Sequence, residues 1–176
     1  TEARLLAVEV LESLRAPDAD RQRRDAAEPL VQCALSDLIA RSEVAQVLDL
    51  VDRYGTLPIG DTGFIAQYVR GLRAFRLARD AHEASGEDPG KPTRETDLVN
   101  DYIEAEGLLA PAFDHPNSVD FPDERASAGV MLGMALYYKD TPEQAAQRFE
   151  QAARVAGSGP RHAEALWMTV VSLERA

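Results

Sequence analysis

The sequence of 176 residues predicts an all-α fold of antiparallel helical hairpins, and three observations predict it. Apolar residues recur at the 3.6-residue period of a single helix face in almost every segment between breaks. No stretch of useful length alternates apolar and polar residues at the period of a strand, and β-branched residues are few. The helical segments follow one another across turns short enough to make successive helices antiparallel neighbours, in either a closed bundle or an open stack of hairpins.

The elements follow in order along the chain. Residues 2–14 place Leu5, Leu6, Val8, Leu11 and Leu14 on one face, and "APDAD" breaks the pattern. A second helix starts near Asp25, with Pro29 in its first turn and Leu30, Val31, Ala34, Leu35, Leu38 and Ile39 on its apolar side. Ser42 reads as the N-cap of a third, which carries Val44, Val47, Leu48 and Val51 and stops at "YGTLPIGD". Asp61 or Thr62 caps a longer helix to about residue 84, with Phe64, Ile65, Tyr68, Val69, Leu72 and Phe75 inward. After the loop "SGEDPGKPT", Thr93 or Thr96 starts a helix bearing Leu98, Val99, Tyr102, Ile103, Leu108 and Leu109. Pro111 and "DHPNSVDFPDE" form a second long break. Helices then span about residues 123–138, 141–155 and 160 to the end.

The stretch from Leu132 to Trp167 carries the most specific signal. In "KDTPEQAAQRF", Asp140 or Thr141 is positioned to accept from the first-turn N–H groups. Pro142 falls where a missing N–H costs nothing. Glu143 suits the positive end of the helix dipole. The turn is therefore about three residues long, and Gly133 and Ala145 let the two helix axes approach while Leu132 and Phe149 fill the space beside them.

Leu132-Gly133, Ala145, Phe149 and Ala152 fall at positions of the tetratricopeptide repeat pattern, and the chain resembles that family here. Gly129 stands in the family's Trp place, Leu136 in its Tyr place and Gly157 in its Pro place; Trp167 suits the Trp place of a following unit, where Val170-Val171 replace Leu-Gly. "YVRGLRAF", with Gly71 in the Gly place, and "DLVNDYIEAEGLLAPAF" resemble an earlier, enlarged unit. The resemblance implies one helical repeat domain over residues 1–176, with the clearest repeat at 123–156. Residues 160–176 then read as the first helix of a truncated following repeat in a longer chain. It also implies a concave groove lined by first helices, whose places match Tyr68, Leu72, Phe75 and Arg76 in one unit and Ser127, Val130, Met134, Tyr137 and Tyr138 in the next. Tyrosine, with an apolar body and a polar tip, suits such a wet interface.

Composition narrows the function classes. Apolar residues make up 45%, enough for a packed core, and no apolar run reaches the length of a membrane-spanning helix, so direct membrane insertion is not expected. The net charge is −11. Thirteen Asp and Glu lie in residues 80–124 against Lys91 and Arg94 alone, so that stretch holds the whole net charge. Such a balance argues against nucleic acid and anionic lipid as partners. Cys33, the single cysteine, sits among apolar residues and excludes an intramolecular disulfide.

Chemistry-bearing motifs are sparse. His82, His115 and His162 are scattered, Glu104 and Glu106 point in different directions on a helix, and no phosphate-binding glycine loop or nucleophile motif stands out. No catalytic residue, metal or cofactor is expected. Arg70, Arg73, Arg76 and Arg79 line one broad side of a helix, where they read as a solvated face or as partners for the acidic stretch that follows, with an anion or carboxylate clamp for a partner as the functional alternative. The expected function is a non-enzymatic scaffold that binds a protein or peptide partner in the groove; the alternative is a helical accessory domain of a larger enzyme.

Overall fold

The computed structural model describes residues 45–47, 63–88 and 90–176. The chain divides into two compact units, Thr1–Val69 and Arg70–Ala176. Of the first, residues 45–47 are helical, with Val47 fully buried, and residues 64–69 form the start of a helix that continues into the second. The helices expected over 2–14, 25–39 and the remainder of 42–53, the cap at Asp61 or Thr62, and Cys33 lie outside the described residues. No strand occurs among the residues described.

Helix α1 spans Phe64–Ser85 and ends at Gly86, whose φ of 82° suits a left-handed helix exit. Helix α2 spans Thr96–Phe113. Neither threonine proposed for its start caps it directly. The N-cap is Glu95, which makes no side-chain cap bond; the Thr93 hydroxyl, two residues earlier, instead accepts from the Glu95 N–H at 3.1 Å. Pro111 does not break α2 but lies within its final turn. Its missing N–H affects a single bond near the helix end, and the Asp114 N–H resumes the ladder to Ala110 O at 3.0 Å.

The second long break contains a short 3-10 turn, Pro116–Asp120, at whose start the His115 ring accepts from Asn117 N–H through Nδ1 at 3.1 Å and the His115 carbonyl from Ser118 N–H at 3.0 Å. Helix α3 (Pro122–Tyr138), helix α4 (Pro142–Ala156) and helix α5 (Pro160–Arg175) follow, each opened by a proline in its first turn. At the α3–α4 turn the expected cap is replaced by two other contacts. Thr141 Oγ1 donates to Leu136 O at 2.8 Å, and Asp140, held at φ 61°, takes Arg175 on its carboxylate at 2.9 Å. Gly157, at φ 65°, closes α4 with its N–H on Ala153 O.

From α2 onward, each helix packs against the next, and α3 also touches α5. Small residues set how closely they approach. A Cβ at Gly133 of α3 would lie 2.7 Å from the Phe149 ring of α4, and one at Gly129 would lie 2.6 Å from Phe113 of α2 and 2.8 Å from Ala152. A Cβ at Gly71 of α1 would lie 2.7 Å from Leu109 of α2. Each of these distances is too short for a real side chain, so the glycine notch and the large residue filling it are one packing unit. Phe149 and Leu109 are fully buried, and Phe113 nearly so, with the guanidinium groups of Arg125 and Arg148 over its ring at 5.3 and 5.9 Å.

Candidate interaction surface

The expected groove residues divide by burial. Tyr68, Phe75, Ser127, Val130, Tyr137 and Tyr138 are all buried, Leu72 and Met134 are half-buried, and Arg76 is exposed with its guanidinium 3.8 Å from Asp80. Six of the nine side chains thus belong to the interior rather than to a solvent-facing wall. The physical reason is that α3 is buried on every side. From Ala126 to Tyr138 only Met134 is partly open, so a helix read as having one core face and one groove face has no bare face of consequence.

Tyr138 joins a polar core. The His82 ring, 1% exposed, meets Tyr138 edge-on at 5.3 Å and Tyr102 at 5.9 Å, while Tyr102 lies over Tyr138 at 4.9 Å. His82 Nδ1 is 3.1 Å from the Tyr102 hydroxyl. The direction of that bond follows the ring's tautomer, the hydroxyl donating to a bare Nδ1 or accepting from a protonated one, and Nε2 lies 3.6 Å from a Glu87 carboxylate oxygen. Burial pushes both the Tyr102 and the Tyr138 phenol up, because a phenolate there would lose its water. The segment between α1 and α2 straps across this cluster. Thr93 N–H donates to Tyr138 O at 3.1 Å and the Tyr137 hydroxyl to Gly90 O at 3.4 Å. The composition around His82, a histidine between tyrosines contributed by two other helices, carries no signal in local sequence; only the fold assembles it.

The acidic segment is mostly α2 and its flanking turns. Its carboxylates find cations where these lie within reach: Asp80 and Glu83 pair with Arg76 and Arg79 one turn back on α1, Glu106 with Lys139, and Asp114 with Arg148. Among the described residues, the pairs that join the α1 arginines to this segment are local, Arg76 with Asp80 and Arg79 with Glu83, each one turn apart.

Four of the seven large apolar side chains that are exposed among the described residues lie on α5. Its inner side buries Ala165 and Ser172 and half-buries Met168 and Thr169. Its outer side exposes Leu166, Trp167, Val170 and Leu173 at 45, 68, 49 and 59%. The other large exposed apolar residues, Leu77, Ile103 and Val119, stand singly on different elements. The sequence holds part of the signal for this surface: from Ala165 to Leu173, α5 carries apolar side chains on more than one side. At the start of α5 an open cleft of about 510 Å³ is lined by Asp123, Ala126, Ala156, Ser158, Pro160, Arg161 and Glu164. Beside it, burial pushes the Glu124 carboxyl up, with Asp123 adding to the effect and Arg161 opposing it.

Among the described residues no group of three metal-type side chains comes together, and no helix is long and apolar enough to cross a membrane. Comparison with protein-family models, with curated proteins and with solved structures returns no match.

Proposed function

We propose that this protein is a non-enzymatic helical scaffold that binds a protein partner, built as a stack of tetratricopeptide-like hairpins. The observation that carries this reading is the contiguous exposed stripe Leu166, Trp167, Val170 and Leu173 on a helix whose other side is packed. Contiguous apolar surface on a well-packed molecule marks an interaction site, and tryptophan is the side chain most enriched where binding energy concentrates. The repeat-like arrangement draws support from the buried pattern of Gly133, Ala145, Phe149 and Ala152 and from the pairing of successive helices. On this reading the partner is met on the outer side of α5, with Met134, Leu72 and Arg76 as the groove places that keep some solvent contact.

The test is site-specific photocrosslinking in the cell of origin, with benzoylphenylalanine placed in turn at Leu166, Val170, Met134 and Arg76. The scaffold reading expects one recurrent protein adduct from at least one of these positions. Absence of any recurrent adduct from all four, in a protein that is folded by circular dichroism, would remove it.

A further inference from the structure

His82 is a buried titratable side chain on which three helices and a loop converge. It stands on α1, meets Tyr102 of α2 and Tyr138 of α3, and is 1% exposed. Just past it the chain turns back. Gly86 takes a left-handed φ of 82°, the Ser85 hydroxyl donates to His82 O at 2.7 Å, and Glu87 N–H donates to the Ser85 hydroxyl at 3.2 Å. This turn returns the Glu87 carboxylate to the ring it has just left. Glu87 Oε2 lies 3.6 Å from His82 Nε2, and both atoms are buried with no hydrogen bond. The separation is just beyond hydrogen-bond reach.

The other charges around the ring are engaged or in solvent. On α1, Arg79 is held by Glu83 at 3.0 Å, and in the loop Lys91 is held by Asp88 at 3.1 Å. Arg175 of α5 lines the same open cleft as Glu87 and is held by Asp140 at 2.9 Å. Arg94 also lines that cleft but is exposed, where salt and water screen it. Helices α2 and α3 present the phenols of Tyr102 and Tyr138, both pushed up by burial, with Asp101 in solvent beyond them. Burial alone works against a charged imidazole, and a facing carboxylate works for it. A charged ring carries N–H on both nitrogens, and both have an acceptor here: the Tyr102 oxygen at Nδ1 and Glu87 at Nε2. A neutral ring offers Glu87 an uncharged donor or a bare lone pair. Charge-assisted bonds are shorter and about twice as strong as neutral ones.

We propose that His82 and Glu87 form a proton-operated latch on the loop between α1 and α2. With the ring charged, Nε2–H donates to the Glu87 carboxylate and draws the loop down over the Tyr102–Tyr138 pair. With the ring neutral, the latch is released, and the loop keeps its bonds from Thr93 N–H to Tyr138 O and from the Tyr137 hydroxyl to Gly90 O. The latch is closed while the ring is charged and Glu87 is ionised. It is lost as pH rises through the titration of the ring, and again as pH falls far enough to protonate Glu87. It stands apart from the scaffold reading and does not depend on it.

The Thr93 amide, bonded to Tyr138 O, reports on the loop directly. Its hydrogen exchange is to be followed by nuclear magnetic resonance at about pH 5.5 and about pH 7.5, which lie on either side of an ordinary histidine at ~6.5 and above ordinary carboxylates at ~4.3. Rates are corrected for the intrinsic pH dependence of exchange. Imidazole proton–nitrogen correlation spectra, assigned with His82→Gln, follow the charge on the ring. The expected result is a charged ring at the lower pH and about tenfold greater protection of Thr93 there, a difference of about 1.4 kcal/mol. The Ala152 amide within α4 should not change, and the gain at Thr93 should be absent in Glu87→Gln, a substitution at a partly exposed side chain. A ring that stays neutral at the lower pH, or protection of Thr93 that is equal or smaller there, overturns the proposal. The same gain in Glu87→Gln, or an equal gain at Ala152, also overturns it, since the first removes the carboxylate from the effect and the second marks a change in global stability.

Discussion

Helices α3 and α5 carry similar sets of large apolar side chains, yet α3 is buried on every side and α5 on one. In α3 the large residues alternate with Ala126, Ala128, Gly129, Gly133 and Ala135, and neighbouring helices come close enough to use both sides of it. In α5 the small residue Ala165 and the small polar residue Ser172 face inward, and the large residues Trp167, Val170 and Leu173 face out. The difference among the described residues is that α3 has helices packed on more than one side, where Gly129 and Gly133 let Phe113 and Phe149 approach, whereas α5 packs on α4 and touches α3 from one side.

The contrast can be broken first at its tightest point. Phe149→Ala empties a fully buried site beside Gly133, and removal of a buried Phe costs about 3–5 kcal/mol; urea unfolding should show a loss of this size. Gly133→Leu attacks the same contact from the α3 side by overfilling it. A Cβ alone would meet the Phe149 ring at 2.7 Å, so destabilisation of about 1–3 kcal/mol is expected in the same assay.

The tyrosine cluster sharpens the picture at alkaline pH. Tyr102 and Tyr138 have phenols raised by burial, so the folded state holds them neutral where the unfolded chain, with ordinary tyrosines near pKa ~10, begins to ionise. Their contribution to stability is fully present below that pH and is lost as pH rises through the folded values. Ultraviolet difference spectroscopy, with Tyr102→Phe and Tyr138→Phe to assign the signals, should find these two tyrosines ionising only together with unfolding. At the bare end, Trp167→Ser should change stability by no more than about 0.5 kcal/mol, as for an ordinary surface site.

Much of this architecture is legible in the chain. Apolar periodicity places α1 to α5 within a residue or two of their observed ends, apart from the end of α2, and the Gly133–Phe149 contact follows from the spacing of small and large residues. Local chemistry is less reliable at the turns. Thr141 and Asp140 were positioned as a cap, but their side chains are claimed by Leu136 O and by Arg175, which lies 35 residues away in sequence. Pro111 signals a stop but sits in a last turn that tolerates it. The groove is the least legible feature. Whether Ser127, Val130 or Tyr137 meets water depends on what packs over α3, and Tyr137 lies beneath a strap formed by residues almost fifty positions earlier. Periodicity identifies faces; it does not say which face remains uncovered.

The account depends most on α5 having a bare outer face while α3 has none, and Trp167 reads that directly. Emission and acrylamide quenching of the free protein at low concentration are the measurement. The account predicts the red-shifted emission of indole in water and quenching close to that of an unprotected tryptophan derivative, in keeping with a side chain 68% exposed. Blue-shifted emission with strong protection from acrylamide would contradict it and place Trp167 in the core.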